Sequence, residues 1–305
     1  MSTPKTTAIF VTYLSQDTVD SALEAAKHSH LRGLLNAIVV DNASTDGTVE
    51  FVAREHPWVK LIANRENVGY GRGLNTGLPH VDTPYVLLMN PDAVLDAGNL
   101  EVLVRFLDEH PEAGIVAPAI RRAAGNYQHA GELPTPRSMI LDAMGIKGAL
   151  SWRVPIVPGS PPFAAEWLCG ACLLARTDLL RKLNGFDPRF FLYFEETDLC
   201  LRARLAGAEL WAVGEAVAHH ASNSSARRVC PDLPDGGCLV EHLYPSRFYY
   251  LVKHHGWIAA SSVELIDLAA RAFRDFARLL TGRRSRGELR LRLQSSLFRC
   301  PAKPA

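Results

Sequence analysis

The chain has 305 residues, of which 48% are hydrophobic and 21% charged, and its formal net charge is +1. This size and balance are typical of one large α/β domain with appendages, and no global basic footprint indicates nucleic acid as a partner. Six cysteines are too few for a disulfide scaffold, and the apolar run 8–14 is too short to cross a bilayer. We therefore expect a cytoplasmic protein.

Strands and helices alternate through the first part of the chain. Short β-branched or apolar runs predict strands at 8–13, 37–40, 59–63, 85–89 and 114–118, and helical periodicity predicts helices at 18–28, 48–55, 73–78 and 100–109. This alternation is typical of an α/β fold with a mostly parallel sheet and right-handed crossovers.

The second part of the chain is less regular. Between 121 and 162 it is rich in Gly, Pro and Ala, which indicates a loop or a lid. Further strands are predicted at 167–175, 209–213 and 217–220, and further helices at 178–183 and 195–206. After residue 240 the pattern is helical to the end of the chain.

Polar residues directly follow two of the predicted strands. Ligands of open α/β sheets bind at the carboxyl ends of the strands, so these residues are candidates for a site. Asp41 ends the second strand, where a carboxylate can accept hydrogen bonds from a nucleobase or a ribose. Asn90 and Asp92 follow the fourth strand, where their oxygens can hold a hard cation. Either aspartate alone is as often a helix cap or a turn residue.

The segment 67–75 is rich in glycine, which allows a ligand to approach the backbone closely. It has neither the arrangement of a Rossmann dinucleotide fingerprint nor the Gly-Lys-Ser/Thr of a Walker loop. A plain glycine-rich turn is the alternative interpretation.

Three carboxylates, Glu195, Glu196 and Asp198, stand at a predicted helix N-terminus behind the aromatic run 190–194. The helix dipole stabilises ionised carboxylates there, which is a structural explanation of the cluster. Aromatic packing against carboxylates also tunes the pKa of a general base, which is the functional explanation.

A pair of histidines, His219 and His220, ends the last predicted strand, and Ser222, Ser224 and Ser225 follow it. Imidazole is a common metal ligand, so the pair is a candidate for ligand binding. A lone histidine would usually be structural, but this pair stands in the same region as the acid cluster.

Together, in this order and spacing, these elements resemble family 2 glycosyltransferases and, within them, the bacterial rhamnosyltransferase-like branch. The residues that carry the resemblance are Thr12-Tyr13, the segment 40–48, Asn67-Val68-Gly69 with Gly73-Leu74-Asn75, Asn90-Pro91-Asp92, and Gly185-Phe186-Asp187 followed by 190–199. The resemblance covers roughly 7–225. It implies a GT-A fold, that is, a Rossmann-like nucleotide-sugar-binding domain with a mostly parallel sheet, followed by C-terminal helices.

The resemblance also implies a domain organisation and a set of donor contacts. The catalytic domain would span 1–240, with a nucleotide-binding half to about 120 and an acceptor half after it, and 241–305 would form a helical extension. The implied donor contacts are Thr12 and Asp41 for the base and ribose, and Asn67 and Asn75 for the donor pocket. Leu74 stands where many relatives carry Arg, so Arg72 is the alternative candidate for a phosphate contact.

The metal site and the base are likewise implied by the resemblance. Asn90 and Asp92 stand where the family's Asp-x-Asp usually stands, so Asp92 would bind a divalent metal, Mg or Mn. His219 would be a second metal or diphosphate contact. Glu196 stands at the position of the catalytic base, usually Asp, which leaves Asp198 as a rival.

The implied reaction is a single displacement that inverts the anomeric configuration. The donor would be a nucleotide-sugar, with dTDP-rhamnose favoured and UDP-hexoses next, and the acceptor a hydroxyl of a cell-surface glycan or a lipid-linked glycan. Two alternatives are open. A sugar-phosphate nucleotidyltransferase would need a glycine-rich triphosphate loop, which 10–17 lacks. An inert sugar-binding module would not need the acid cluster.

The C-terminal segment 271–305 contains ten basic and two acidic residues, a net charge of +8, with interleaved apolar residues that suggest amphipathic helices. Three interpretations are open. The helices pack on the catalytic domain, they attach peripherally to the anionic inner face of the cell membrane, or they join copies of the chain in a homo-oligomer.

Overall fold

The computed structural model of the chain describes residues 3–146, 153–221, 239–281, 288–293, 295 and 297–301. Its strands are β1 (Thr6–Thr12), β2 (Leu35–Asp41), β3 (Lys60–Ala63), β4 (Tyr85–Met89), β5 (Ala93–Val94), β6 (Ala113–Arg122), β7 (His129–Ala130), β8 (Val154–Pro155), β9 (Phe163–Ala165), β10 (Cys172–Arg176) and β11 (Glu209–His220). Its α-helices are α1 (Gln16–Leu31), α2 (Thr48–Glu55), α3 (Tyr70–Gly77), α4 (Ala97–Glu109), α5 (Pro136–Ala143), α6 (Thr177–Lys182), α7 (Glu195–Leu205), α8 (Tyr244–Leu280) and α9 (Glu288–Leu293).

A mixed, mostly parallel sheet forms the centre of the molecule. Its strand order is β3-β2-β1-β4-β10-β6-β11-β5, and β9 also pairs with β11. Strands β3, β2, β1 and β4 are parallel, β10 is antiparallel to both of its neighbours, and β11 is parallel to β6. The carboxyl ends of β1, β2, β4 and β11 therefore share one edge of the sheet. The prediction of an α/β fold with a mostly parallel sheet is confirmed.

Helices cover both faces of the sheet because its central strands are apolar on both faces. Phe10 of β1 packs in one buried cluster with Leu23 of α1 and Leu103 of α4. Its neighbour Ile9 packs in a second cluster with Leu74 of α3. Complete burial of side chains of this size stabilises the fold by roughly 1.5–3 kcal/mol each.

The predicted loop or lid between 121 and 162 contains a helix, which corrects that expectation. Helix α5 begins with Pro136 after Thr135, whose hydroxyl accepts a hydrogen bond from the Ser138 amide at 3.1 Å. The outer residues Met139 and Ile140 pack against a buried cluster formed largely by α8. Sequence periodicity missed α5 because eight residues with one short apolar stretch depend on such tertiary contacts.

Two further boundaries differ from the predictions. The strands predicted at 209–213 and 217–220 form the single strand β11, with a register shift between Val213 and Val217. The strand predicted at 167–175 begins only at Cys172. A register shift of this kind interrupts the alternation of side chains, so one strand has the pattern of two.

The described C-terminal part is helical over 239–280 and 288–293, as its pattern predicts, whereas 297–301 is not helical. Helix α8 is interrupted at Gly256, which has a φ of 84°. None of the helices in the described part of the chain is long and apolar enough to cross a membrane. The division of the chain at residue 240 stays a prediction.

Candidate functional site

A pocket of about 290 Å³, here called the first pocket, opens at the shared carboxyl edge of the sheet. The residues that line it come from the ends of β1, β4 and β11, the loop after β2, the loop before α3, the chain before β10 and the N-terminus of α7. Five of the predicted site residues line it, namely Thr12, Asn67, Asn90, Asp92 and Glu196. Two neighbours of predicted residues, Glu195 and His220, line it as well. The fold thus brings together segments that are far apart in the sequence.

Thr12 and Asp41 face each other across β1 and β2. Asp41 is fully buried, and its carboxylate accepts hydrogen bonds from the Thr12 hydroxyl at 2.8 Å and from the Ser44 hydroxyl at 2.6 Å. The Ser44 amide donates to the second carboxylate oxygen at 2.8 Å. Thr12 and Asn42, rather than Asp41, line the first pocket. The structure therefore shows Asp41 as the anchor of the loop that presents Asn42.

Asn67 shapes the loop before α3. Its side-chain oxygen accepts a hydrogen bond from the Gly69 amide at 3.0 Å, and the Asn42 amide donates to the Gly69 carbonyl at 3.0 Å. Gly69 has a φ of 83°, and a Cβ on it would lie 2.2 Å from the carbonyl oxygen of Phe191. Only glycine therefore lets this loop meet the aromatic run, to which the Tyr70 amide donates a hydrogen bond at 3.1 Å.

Asn75, which is predicted for the donor pocket, does not line the first pocket, and its predicted role stays a prediction. Its side-chain amide donates to the Phe186 carbonyl at 2.7 Å and accepts from the Phe186 amide at 2.8 Å. Asn75 therefore holds the Gly185-Phe186-Asp187 segment against α3, since it lies beyond the first turn of the helix. Arg72, on the first turn, is half-buried and also lies outside the lining of the first pocket.

Asn90, Asp92 and His220 converge at one end of the first pocket. The His220 Nε2 atom lies 3.0 Å from Asp92 Oδ1 and 3.2 Å from Asn90 Nδ2. Short strand β5, which directly follows Asp92, pairs with the end of β11 and matches His220 with Ala93. This pairing brings a histidine and an aspartate 128 positions apart in the sequence into contact.

The structure favours His220 over the predicted His219. His219 is exposed, whereas the His220 side chain is 11% exposed beside an Asp92 side chain that is 1% exposed. Successive side chains of a strand point to opposite faces, so only one of the two histidines can face the pocket. His220 is therefore the better placed of the two for this contact, and the role of either histidine stays a prediction.

The acid cluster begins α7 after two strained residues. Tyr193 and Phe194 both have a φ of 68°, a left-handed conformation that costs a non-glycine residue of order 1–3 kcal/mol. Glu195 and Glu196 follow at once and line the first pocket. This strain sets the direction from which α7 presents its first two carboxylates.

The Glu195–Glu196 pair is held in a state that resists ionisation. Glu195 Oε2 is buried and makes no hydrogen bond to any residue in the described ranges. Burial, and next the charge of Glu196, raise the pKa of Glu195 well above its usual range. Burial also raises the pKa of Glu196. The pair can therefore hold or accept a proton at a higher pH than an exposed glutamate.

Asp198 has the opposite environment. Its fully buried carboxylate accepts hydrogen bonds from Lys253 Nζ at 2.5 Å, His254 Nε2 at 2.7 Å and Arg202 Nε at 2.7 Å. Although burial opposes ionisation, the hydrogen bond from His254 and the charges of Arg202 and Lys253 lower the pKa of Asp198. Asp198 does not line the first pocket. Its hydrogen bonds with Lys253 and His254 instead hold α7 against α8.

Lys253 and His254 belong to α8 and were not predicted as part of the site. Lys253 also binds Asp187 at 2.7 Å, so one lysine joins the aspartate of the Gly-Phe-Asp motif to Asp198 of α7. No local pattern marks this lysine, because its partners lie 55 and 66 positions away.

Other residues of the site were also missed. Gly170 lies against Glu196, because a Cβ on Gly170 would be 3.1 Å from the Glu196 Cβ. The Tyr70 hydroxyl donates to the Gly170 carbonyl at 3.3 Å. The break that Gly170 makes in an apolar run was the available signal. Cys169 lines the first pocket and Cys172 is buried in β10, and both are free thiols.

A second pocket, of about 590 Å³, lies on the other side of Glu196. It is formed by α5, the start of α7 and the inward face of α8, and it shares Tyr193 and Glu196 with the first pocket. Its lining includes four arginines, Arg153, Arg247, Arg271 and Arg274, and four acidic residues, Glu132, Asp142, Glu196 and Asp267. Glu196 is therefore part of the wall between two cavities.

A group of three potential metal ligands lies elsewhere. Among the described residues, a search for clusters of at least three acidic, histidine or cysteine ligands finds Asp20, Glu24 and His56. None of them lines the first pocket. Buried His56 pairs through Nε2 with exposed Asp20 at 2.9 Å.

The sequence of this chain is similar to those of known glycosyltransferases. A family model described as Glycosyl transferase family 2 matches residues 7–151. The N-acetylglucosaminyl-diphospho-decaprenol L-rhamnosyltransferase of Mycobacterium tuberculosis is 29% identical over 247 residues, which cover 73% of this chain and 76% of that protein. Rhamnosyltransferase WbbL of Escherichia coli is 26% identical over 151 residues, which cover 47% of this chain and 56% of that protein.

The fold is similar to that of solved glycosyltransferases. The mannosyltransferase PcManGT from Pyrobaculum calidifontis, solved with GDP-Man and Mn²⁺, superposes with a TM-score of 0.53 at 19% identity. The match covers 92% of this chain and 80% of that chain. The prediction of a GT-A fold is confirmed.

Proposed function

Since this chain belongs to glycosyltransferase family 2 and is a glycosyltransferase, we propose that it is inverting and metal-dependent, with the donor in the first pocket and the acceptor in the second. The observation that carries the proposal is the position of Glu196. Its side chain lines both pockets, so it can reach an acceptor hydroxyl directed at a donor sugar. A base in a single-displacement reaction must stand at this junction.

The donor that we propose is dTDP-rhamnose, with UDP-hexoses as the second choice. Two relatives of this chain are named as rhamnosyltransferases. Thr12, Asn42 and Asn67 line the first pocket and supply hydroxyl and amide groups for the nucleoside. The Mycobacterium tuberculosis relative, which matches 73% of this chain, is named for an N-acetylglucosaminyl-diphospho-decaprenol acceptor. We propose a lipid-linked or cell-surface glycan acceptor here as well.

The end of the first pocket suits a divalent cation, Mg²⁺ or Mn²⁺. The His220 imidazole lies 3.0 Å from the Asp92 carboxylate and 3.2 Å from the Asn90 side-chain amide. Mg²⁺ commonly uses one or two protein ligands together with substrate phosphates, and imidazole suits the transition metals. A cation held here would neutralise the negative charge of the departing nucleoside diphosphate.

The chain's own residues then have distinct tasks. The Glu196 carboxylate accepts the proton of the acceptor hydroxyl as that oxygen attacks the anomeric carbon, and the bond from that carbon to the diphosphate oxygen breaks. Glu195, whose pKa is raised well above its usual range, adds little charge to the wall of the pocket. Asp198 fixes α7 through Arg202, Lys253 and His254.

The experiment that tests this function is a donor panel with product analysis. The purified chain is incubated with dTDP-rhamnose or UDP-hexoses and a diphospholipid-linked N-acetylglucosamine acceptor, with Mg²⁺, with Mn²⁺ or with EDTA. We expect transfer from dTDP-rhamnose that EDTA abolishes, and NMR should show the opposite anomeric configuration in the product. Retention of configuration, or equal transfer in EDTA, would contradict the proposed mechanism.

The C-terminal segment is the remaining part of the proposal. We propose that 271–305 contacts the inner face of the cell membrane, where a lipid-linked acceptor is found, and that homo-oligomer formation is the alternative role. Arg283, Arg284, Arg286 and Lys303, which carry part of its charge, lie outside the described residues, as do Ser222, Ser224 and Ser225 after the histidine pair.

A further inference from the structure

The outer face of the second part of α8 is apolar. After the interruption at Gly256, five large apolar side chains of this helix are exposed to solvent. They are Ile258 at 84%, Leu265 at 58%, Phe273 at 70%, Phe276 at 58% and Leu280 at 72%. At 3.6 residues per turn they fall within about 80° of the helix circumference. We call these five residues the apolar stripe.

The charged residues of the same helix point inward. Glu264 and Asp267 are 1% and 2% exposed. Arg247 and Arg271 each donate to the Asp267 carboxylate at 3.0 Å. A helix on the surface of a globular protein usually directs its apolar face inward and its charges outward, so this part of α8 is inverted.

An inverted helix of this kind marks an interaction surface. Five of the seven exposed large apolar residues of α8 lie in this stripe, and the other two are Trp257 and Leu279. Singly scattered apolar residues, such as Leu31 and Leu205, need no explanation. The charged residues of the helix do not interrupt the stripe, because Asp267 and Arg271 form ion pairs on the inward face of the helix. Something apolar is therefore expected to cover the stripe.

We propose that the apolar stripe lies on the surface of a bilayer that contains anionic lipid. The residues that follow α8 in the sequence include Arg283, Arg284 and Arg286, which would complement a negative surface. Half-exposed Trp257 stands at the other end of the stripe, and tryptophan is favoured where apolar and polar regions of a membrane meet. The helix thus lies in the interface without crossing the membrane.

A second copy of the chain is the less favoured occupant. Paired helices are usually set in register by charged residues that flank the apolar seam. Here Glu264, Asp267 and Arg271 are turned to the opposite side and bound within the same molecule. The flanks of the stripe carry small or apolar residues instead, such as Ser261, Ile266 and Ala272.

This surface deepens the proposed function, on which it rests for the lipid-linked nature of the acceptor. Arg247, Arg271 and Arg274 of α8 line the second pocket from the inward side, while the apolar stripe occupies the outward side. A docked stripe would hold the second pocket next to the lipid head groups. The acceptor's sugar could then enter it while its lipid tail stays in the bilayer.

The test is flotation of the full-length protein with vesicles of phosphatidylcholine, with and without phosphatidylglycerol. The stripe variant is Phe273→Ser with Phe276→Ser, and the matched control is Leu31→Gln with Leu205→Gln, two equally exposed leucines outside the stripe. We expect the stripe variant to bind vesicles at least about tenfold more weakly and the control to bind like the wild type. Since the contact is partly apolar, high salt should weaken wild-type binding without abolishing it.

Each outcome is decisive. A wild-type protein that does not float, or a stripe variant that floats like the control, overturns the membrane surface. A wild-type dimer in sedimentation that the stripe variant turns into a monomer, without vesicle binding, assigns the stripe to a second copy instead. Transfer to a short, water-soluble acceptor analogue separates the two proposals. It should be equal in wild type, stripe variant and control even if docking fails, whereas its absence in a vesicle-bound wild type counts against the proposed function.

Discussion

Helix α7 carries two acidic regions that differ in their environment although they are two positions apart. The Glu195–Glu196 pair lines the first pocket, has a raised pKa, and includes a buried oxygen without a hydrogen bond to described residues. Asp198 lies one half-turn further, accepts hydrogen bonds from Arg202, Lys253 and His254, and has a lowered pKa. Burial alone therefore does not decide the protonation of a carboxylate, because its hydrogen-bonding and charged partners determine whether it remains ionised.

Among these predictions, loss of the Glu196 carboxylate should have the greatest effect on turnover. Glu196→Gln should lower kcat by about 10²–10⁴-fold, since the amide cannot accept the acceptor's proton. Donor binding should change little, because a base acts mainly in the transition state. Steady-state kinetics and calorimetric titration of the donor measure the two effects. Glu101→Gln, at an exposed glutamate of α4 that pairs with Arg32, is the matched control and should behave like the wild type. A kcat within a few-fold of wild type would remove Glu196 from the mechanism.

Substitution of Asp198 should lower the stability of the fold rather than affect the chemical step directly. Asp198→Asn leaves Lys253, His254 and Arg202 without their common anion, so the free energy of unfolding should fall by about 3–5 kcal/mol. Denaturant unfolding checks this, with Asp178→Asn as the control, because that aspartate pairs with Arg181 while 97% exposed. The lowered pKa of Asp198 stabilises the fold above the aspartate's unfolded pKa, and this stabilisation is lost as the pH falls through the folded pKa. An Asp198→Asn protein as stable as wild type but inactive would make Asp198 the base.

The two histidines at the other end of the first pocket should differ in their effect on metal-dependent donor binding. His220→Ala should weaken metal-dependent donor binding by about 10–100-fold, as expected for loss of a residue at or beside a metal site. His219→Ala should leave that binding unchanged, because His219 is exposed on the other face of β11. Titration of donor with Mn²⁺, and of donor in EDTA, measures the difference. The assignment of His220 is wrong if the two variants are affected alike.

The smallest expected effect concerns the coupling within the glutamate pair. Glu196 must be ionised to act as a base, and its raised pKa places the acidic limb of the kcat profile above the usual range of a glutamate. The charge of Glu196 contributes to the raised pKa of Glu195, whereas burial is the largest cause of the raised pKa of Glu196. Since Glu195 adds little charge to the pocket, Glu195→Gln should move the limb by less than about half a unit. The pH dependence of kcat measures the shift. A limb that moves to lower pH by about one unit or more would show that Glu195 is ionised when Glu196 titrates.

Much of the nucleotide-binding half was predictable from local patterns. The strands that end at Asp41 and Met89 are short runs of apolar residues, and each is followed by polar residues at the carboxyl edge of the sheet. Such features depend on neighbours in the sequence, which is why the predicted helices and strands of this half agree with those observed. The roles of Thr12, Asn67 and Asp92 stay predictions, although all three line the first pocket.

The second half was less predictable, for a physical reason. Helix α5 needs α8 to cover Met139 and Ile140, and the second pocket exists only where α5, α7 and α8 meet. Asn75 was expected in the donor pocket, but it holds the backbone of Phe186, 111 positions away. Residues that act through such distant partners carry no local signal.

Local patterns are enough to predict that Glu195, Glu196 and Asp198 begin a helix and that two histidines end a strand, because periodicity and capping depend on neighbours in the sequence. Which of these side chains faces the pocket depends on how distant elements pack. Asp198 meets Lys253 and His254 from 55 and 56 positions away, and the pairing of β11 with β5 turns His220, not His219, toward Asp92. Electrostatic partners and strand faces are set by which elements pack together, and that packing minimises the free energy of the whole chain rather than of any one segment.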